Sequence, residues 1–136
     1  MGSASLVRLL LDTHIWFWAV VSPEKLIHRV VTAIEDAQNE RWLSPVSIWE
    51  LVILVEKRRI EMLEDIKTFV ERSKEALLIR EALLTHEVAI EMGKMHVDRD
   101  PADRLLVATA RVFELTLVTA DRRLIGTKGV SILANV

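Results

Sequence analysis

Short apolar runs that end at a polar residue recur along this chain, and helix-start signals separate them. The first run covers residues 6–11 and stops at Asp12, as a buried strand of a parallel sheet does. Further strands are predicted over 41–44, 77–79, 115–119 and 130–133. Strands alternating with helices predict an α/β fold, in which a central, mostly parallel sheet is flanked by helices in three layers.

Proline marks the start of three predicted helices. Each of the three prolines follows Ser or Asp, which cap helix N-termini, and proline itself suits the first helical position. The pairs are Ser22-Pro23, Ser44-Pro45 and Asp100-Pro101. With the hydrophobic pattern they predict helices over 22–40, 44–58, 63–75, 85–95 and 100–113, and a brief helix after Asp121.

Composition narrows the class of protein. The 136 residues fit one domain, expected over 1–136, with residues 1–4 compatible with a cloning remnant. The absence of Cys excludes thiol nucleophiles, Cys-ligated zinc and iron–sulfur clusters. A net charge of −2 does not by itself predict a nucleic-acid binder. No apolar run approaches the ~20 residues that span a bilayer, and no targeting segment is recognised. We therefore expect a cytoplasmic protein without a membrane segment.

Four carboxylates stand where they do not help stability. Asp12 follows three leucines, Asp121 follows an apolar strand, and Glu50 is the only charged residue between 44 and 55. A lone carboxylate in such surroundings costs several kcal/mol unless it is paired, hydrogen-bonded, neutralised or bound to metal. Ligands of parallel sheets bind beyond the carboxyl ends of the strands. Asp103, in the first turn of a predicted helix, is expected at the same end.

Each carboxylate also has an ordinary structural explanation. Asp12 and Asp121 are suited to cap helices, Asp103 is suited to a first helical turn, and Glu50 would be satisfied by a buried Arg. Ser47 shares a helix face with Glu50, which fits an internal hydrogen bond or a site. The shared placement of the four acids favours a site for a hard cation. Oxygen donors without Cys select Mg²⁺ or Mn²⁺ over zinc, and the four histidines lack metal-binding spacing.

Four segments together resemble the PIN-domain nucleases, and among them the VapC-type toxins of toxin–antitoxin systems. The segments are Leu9-Leu10-Leu11-Asp12-Thr13-His14, Ser47-Ile48-Trp49-Glu50-Leu51, residues 96–108 with Asp100 and Asp103, and Leu117-Val118-Thr119-Ala120-Asp121. Each is weak alone, but four in this order are specific to the family. Ala102 and Ala120 depart from the family pattern, which bears on substrate preference and removes no carboxylate.

The resemblance implies a three-layer PIN-like fold and a metal-dependent endoribonuclease that cleaves single-stranded or looped RNA by activated water. It also implies a homodimer that a cognate antitoxin holds inactive. Asp12, Glu50 and Asp103 would hold Mg²⁺ or Mn²⁺, and Asp121 would complete or support the site. The residues expected to position water or a carboxylate are Thr13, Ser47 and Thr119.

An acidic site needs cations nearby to hold RNA. The candidate phosphate contacts are Arg104, Arg111, Arg122, Arg123 and residues 57–59. The four tryptophans are predicted to pack in a core or interface rather than to stack on bases. A mean hydropathy of +0.25 and the Trp16-Phe17-Trp18 cluster predict apolar surface for a partner.

Two other functions compete with the nuclease hypothesis. A Mg²⁺-dependent phosphoryl-transfer domain of the haloacid-dehalogenase kind requires Asp-x-Asp, whereas this chain has Asp12-Thr13-His14. A phosphoryl-transfer domain of the receiver kind requires paired acids after the first strand and a Lys late in the sheet, and this pattern is not found in the sequence. A non-catalytic interaction module has no need of the four acids, and divalent-metal binding would separate it from an enzyme.

Overall fold

The centre of the molecule is a parallel sheet. The computed structural model describes residues 6–95 and 99–136, and within them the sheet has five strands. They are β1 (Arg8–Leu11), β2 (Glu40–Leu43), β3 (Ile79–Glu81), β4 (Thr116–Thr119) and β5 (Ser131–Ala134). Their order is β3-β2-β1-β4-β5, and every neighbouring pair is parallel. The predicted sheet is therefore confirmed, and it is parallel throughout.

Helices cover both faces of the sheet. In the described ranges they are α1 (Thr13–Val21), α2 (His28–Glu35), α3 (Pro45–Glu56), α4 (Ile66–Leu77), α5 (His86–Met92) and α6 (Pro101–Phe113). Successive leucines of β1 point to opposite faces, so Leu9 and Leu11 pack with α1 to α4, whereas Leu10 packs with α6. Two buried clusters result, one on each side of the sheet, and α5 lies against α6. This is the predicted three-layer α/β architecture.

The structure differs from the sequence predictions at three places. Helix α1 was not predicted, because apart from Thr13 and His14 it is apolar and its sequence lacks the periodicity that reveals a helix. The helix predicted over 22–40 is instead a 3₁₀ turn, Pro23–Lys25, followed by α2. At that break Asn135 accepts a hydrogen bond from the backbone N–H of Ile27 at 2.7 Å and donates one to the carbonyl of Lys25 at 3.1 Å. The residues after Asp121 form turns rather than a brief helix.

The Trp16-Phe17-Trp18 cluster packs inward. Trp16 is fully buried against Phe69, and its indole N–H donates to the Ser73 hydroxyl at 3.0 Å. Phe17 and Trp18 are partly buried against the same core, so the surface expected from this cluster for a partner is largely absent. Large apolar side chains are exposed elsewhere in the described residues, among them Trp49, Leu63, Leu78 and Ile90. No helix in the described part of the chain has the length and apolar character needed to cross a bilayer.

The order in which the chain adds strands to the sheet reverses between β1 and β4. These strands are neighbours, and after them the backbone N–H of Asp12 still donates to the carbonyl of Val118 at 3.0 Å. Crossovers run to β2 and β3 on one side of β1, and to β4 and β5 on the other. Such a switch point leaves a crevice beyond the carboxyl ends of the two central strands, where α/β proteins bind ligands.

Candidate functional site

One cavity at this switch point is lined by all four predicted carboxylates. Asp12 lies between β1 and α1, Glu50 on α3, Asp103 in the first turn of α6, and Asp121 beyond β4. The cavity has a volume of about 590 Å³. Because each acid comes from a different element, their meeting depends on the tertiary fold.

Asp12 and Glu50 form the inner pair, which neutral donors hold in place. Asp12 accepts hydrogen bonds from the backbone N–H of Thr13 at 2.7 Å and from the hydroxyl of Thr119 at 2.6 Å. Glu50 accepts one from the hydroxyl of Thr13 at 2.7 Å. Asp12 thus caps α1 and lines the cavity at the same time. The partner of Glu50 is a threonine and not the buried Arg considered as an alternative.

The inner pair lacks compensating positive charge. Burial raises the pKa of Asp12, although the hydrogen bonds from Thr119 and Thr13 partly oppose this. Burial also raises the pKa of Glu50 to about 7, and the charges of Asp12, Asp103 and Asp100 raise it further. The pKa of both carboxyls is therefore raised in the folded protein, as expected of like charges in a partly desolvated site.

Asp103 and Asp121 form the outer pair, and Arg123 lies between them. The guanidinium Nη2 of Arg123 is 2.8 Å from Asp121 Oδ2 and 3.7 Å from Asp103 Oδ2. Its hydrogen bonds to Asp121 lower the pKa of that carboxyl. The pKa of Asp103 is nevertheless raised to about 6, because burial outweighs the attraction of Arg123. The outer pair is thus stabilised by the guanidinium of Arg123, whose side chain is 76% exposed.

Thr119 joins the two pairs. Its hydroxyl donates to Asp12 and accepts from the backbone N–H of Asp121 at 3.0 Å. Thr13 likewise contacts both members of the inner pair. Ser47, the third predicted supporting residue, is fully buried beside the site but does not line the cavity. Its hydroxyl has no hydrogen-bond partner among residues 6–95 and 99–136, so the predicted bond to Glu50 is not formed.

Of the six arginines among the candidate phosphate contacts, Arg123 alone lines the cavity, and Arg58 and Arg59 are exposed outside its lining. Arg104 donates to the carbonyl of Met92 at 3.1 Å, which links α6 to the end of α5. Arg111 donates to Glu91 at 3.5 Å and to the carbonyl of Lys128. Arg122 is exposed outside the cavity lining. Arg104 and Arg111 therefore act in packing, and we do not assign them to substrate.

The cavity also has lining residues that were not predicted as part of the site. They are His14, Trp18, Trp49, Ile53, Leu54, Asp100, Ala102 and Ala120, whereas Lys57, a candidate phosphate contact, also lines the cavity. The spacing of Trp49, Ile53 and Lys57, at i, i+4 and i+8 of α3, places them on one helix face and was the available signal. Asp100 caps α6 by accepting from the backbone N–H of Ala102 at 2.8 Å. His96, from the third family-like segment, lies outside the described residues.

Comparison with known proteins identifies the family. The PIN domain model matches residues 9–129, most of the chain. The chain belongs to the PIN-domain family. A relative, Ribonuclease VapC22 of Mycobacterium tuberculosis, is 33% identical over 121 residues, which cover 88% of this chain and 91% of the relative.

Solved structures share the architecture of this PIN domain. VapBC2 from Rickettsia felis, bound to a promoter DNA fragment, matches with a TM-score of 0.71 and 16% identity, over 94% of this chain and 98% of that one. DNA-bound VapBC from Salmonella typhimurium matches with a TM-score of 0.67 and 20% identity, over 96% and 100%. At these identities the likeness confirms the predicted PIN-like fold.

The donor set of the PIN domain suits a hard divalent cation. All four predicted ligands are carboxylates, and the guanidinium of Arg123 already takes a cation's place between two of them. In the part of the chain that the structure describes, no three Asp, Glu or His side chains form a ready group for one ion. The residues that would hold such an ion are Asp12, Glu50, Asp103 and Asp121.

Proposed function

We propose that this PIN domain is a Mg²⁺- or Mn²⁺-dependent endoribonuclease that acts as the toxin of a toxin–antitoxin pair in the cytoplasm. Its substrate is single-stranded or looped RNA. The observation that carries the proposal is the meeting of four carboxylates, from four separate elements, in one cavity at the switch point of the sheet. The 33% identity to a VapC ribonuclease supports the same activity.

The charge balance of the cavity supports the metal requirement. The raised pKa values of Glu50, about 7, and Asp103, about 6, mean that the metal-free site holds more negative charge than its surroundings stabilise. Asp12, Glu50 and Asp103 would hold the ion, with Asp121 completing or supporting its site. When bound, a divalent cation activates water for in-line attack on phosphorus and offsets charge on the phosphoryl oxygens.

The remaining side chains orient the acids and receive the substrate. Thr13 and Thr119 fix the carboxylate planes of the inner pair through hydrogen bonds of 2.6 to 2.7 Å, which is the role that supporting residues play around metal ligands. Arg123 and Lys57 line the same cavity, and we propose them as the cations that receive phosphate groups of the substrate.

A cleavage assay tests the nuclease activity. Purified protein is incubated with a pool of structured RNAs in EDTA, in Mg²⁺ and in Mn²⁺, with Asp12→Asn prepared in parallel to reveal contaminating nuclease. We expect cleavage only by the wild type and only with a divalent ion. Undiminished cleavage in EDTA would overturn the metal assignment.

The toxin role and its partners are tested separately. The structural neighbours include VapBC complexes, which supports an antitoxin as partner of this chain, and we also propose a homodimer. Expression of the wild type alone in a bacterial host should arrest growth, whereas Asp12→Asn should not. Light scattering that shows only monomer across micromolar concentrations would remove the homodimer.

A further inference from the structure

The four tryptophans of the chain occupy four different environments. Trp16 is fully buried, and Trp42 stacks on Phe113 with ring centroids 6.3 Å apart and planes at 19°. Trp18 packs beside a histidine ring at 5.5 Å, and a lysine lies over it at 5.6 Å. Trp49 is 55% exposed, and among the described residues no aromatic ring or cation stacks on it. It is therefore the tryptophan with a ring face available to a ligand.

Trp49 begins a stripe of side chains along the carboxylate cavity. Ile53 and Lys57 follow at i+4 and i+8, and all three line the cavity that contains Glu50. We call these three residues the α3 stripe. At 1.5 Å per residue the stripe is about 12 Å long, which corresponds to roughly three stacked nucleotides at 3.4 Å each. Lys57 has no carboxylate within ion-pair distance in the described ranges.

Carboxylates around the cavity repel the phosphates of RNA. Five of those in the described residues line it, namely Asp12, Glu50, Asp100, Asp103 and Asp121. The guanidinium of Arg123 pairs with two of them, whereas Lys57 lines the cavity without a carboxylate at ion-pair distance in the described ranges. A contact that does not depend on charge would therefore add affinity at this site. A nucleobase is neutral and flat, and it stacks on an exposed aromatic ring whatever its sequence.

We infer that the α3 stripe is a nucleotide-binding subsite of the active site. An unpaired nucleobase beside the scissile phosphate stacks on Trp49 and packs against Ile53, and the next phosphate along the strand lies at Lys57. A base inside a duplex has both faces covered by its neighbours, so this subsite selects single-stranded or looped RNA. The inference rests on the proposed nuclease function and names how that site recognises its substrate.

The test separates stacking from charge. The probe is a fluorescein-labelled, unpaired 2′-O-methyl oligonucleotide, which resists cleavage, and its anisotropy is titrated in Ca²⁺ buffer over a series of salt concentrations. The variants are Trp49→Ala, Trp49→Phe and Lys57→Gln. Leu63→Ala is the matched control, because Leu63 is fully exposed and outside the cavity lining. Thermal melts show that each variant is folded.

Stacking and charge predict different outcomes. Trp49→Ala should weaken binding about five- to a hundred-fold with an unchanged salt slope, whereas Trp49→Phe should keep most of the affinity. Lys57→Gln should lower the slope of log K against log salt by about 0.7, the value for one phosphate contact on a single strand. Quenching of tryptophan fluorescence by the oligonucleotide should fall in Trp49→Phe. The control should match the wild type.

Contrary results are distinct. Wild-type affinity and quenching in both Trp49 variants would overturn the subsite. So would normal oligonucleotide binding by Trp49→Ala combined with lost self-association in light scattering, because Trp49 would then belong to a protein interface. A wild type that cleaves no RNA in Mn²⁺ removes the proposed function itself. A wild type that cleaves, with an unchanged KM in Trp49→Ala, removes the subsite alone.

Discussion

The inner and outer carboxylate pairs line one cavity, yet the inner pair is stabilised by neutral hydrogen-bond donors and the outer pair by a cation. Asp12 and Glu50 receive hydrogen bonds from threonines in the protein interior, and no cation pairs with them among the described residues. Asp103 and Asp121 lie closer to the surface and share Arg123. The inner pair is therefore held by hydrogen bonds but has no cation at ion-pair distance in the described residues, whereas the outer pair has positive charge from an exposed side chain.

This difference suggests a division of labour. Thr13 and Thr119 are buried and anchored in α1 and β4, so they hold the inner carboxylates before any ion arrives. Arg123 is mostly exposed, and an exposed ion pair contributes at most about 1 kcal/mol. Its guanidinium would therefore be displaced at small cost by a divalent ion. The inner pair would supply ligands already fixed in position for such an ion, and the outer pair would exchange Arg123 for it.

Replacing Asp12 should have the largest effect and tests the inner pair directly. Asp12→Asn should lower kcat/KM by more than the 10- to 100-fold that loss of a group supporting a metal ligand costs. In EDTA its melting temperature should equal or exceed that of the wild type, because burial of the charged form is unfavourable. In Mn²⁺ the stabilisation should be reduced. The measurements are cleavage rates and thermal melts in both buffers.

The opposite pattern would break the comparison. A mutant that melts clearly lower in EDTA and keeps the full Mn²⁺ shift would make Asp12 a structural cap of α1.

Removing the hydroxyl that joins the pairs should have the next largest effect. Thr119→Val leaves the Asp12 carboxylate and the backbone N–H of Asp121 without that partner. Divalent-ion affinity, measured calorimetrically, should fall about 10- to 100-fold, and unfolding should become easier by about 1–3 kcal/mol. Thr119→Ser keeps the hydroxyl and is the matched control. Equal losses in both variants would show that the effect does not come from the lost hydroxyl.

The pH dependence of stability sharpens the charge argument. The pKa of Glu50 is raised from 4.5 to about 7 in the folded protein, and that of Asp103 from 3.8 to about 6. A raised folded pKa stabilises the fold below the unfolded value, and this stability is lost as pH rises through the folded value. In EDTA the melting temperature should therefore fall between about pH 4.5 and pH 7.

Two controls bear on that pH profile. Glu50→Gln should flatten it, and Mn²⁺ should raise the melting temperature more at high pH than at low pH, because ion binding requires ionised carboxylates. A wild-type melting temperature in EDTA that is flat over this range would show that the carboxylates are not short of positive charge.

Removing Arg123 should have the smallest effect, and it should raise rather than lower the affinity for Mn²⁺. Arg123→Gln removes the cation that competes for Asp103 and Asp121, so Mn²⁺ affinity should rise about two- to five-fold, the range set by an exposed ion pair. Arg122→Gln removes the same charge outside the cavity lining and is the matched control. Equal increases in Mn²⁺ affinity in the two variants would show that only the net charge of the protein matters. Weaker Mn²⁺ binding in Arg123→Gln alone would show that Arg123 holds Asp103 and Asp121 in position for the ion.

Local signals in the chain determined the order of elements and the identity of the four acids. Proline after a capping residue marks the starts of α3 and α6, and a polar residue after an apolar run marks the ends of β1 and β4. Because the carboxyl ends of parallel strands lie at the same edge of a sheet, the sequence alone predicts that Asp12 and Asp121 lie close together. These inferences depend on chemistry within a few residues, which sequence displays directly.

Tertiary structure decided what depends on contacts between distant residues. Arg104 reaches the carbonyl of Met92 at the end of α5, whereas Arg123 lies between Asp103 and Asp121, and arginines of equivalent chemistry give no sign of this difference in the sequence. Helix α3 is largely apolar, so its spacing groups Trp49 with Ile53 and Lys57 but does not show that this face is exposed. Packing turns Trp49 towards the cavity and buries Leu51. Thr119 gains its role from Asp12, 107 positions away in sequence. The four acids could be predicted because a carboxylate in an apolar segment is visible within a few residues of sequence. The threonines that hold them could not, because a hydrogen bond between distant residues leaves no local sequence pattern.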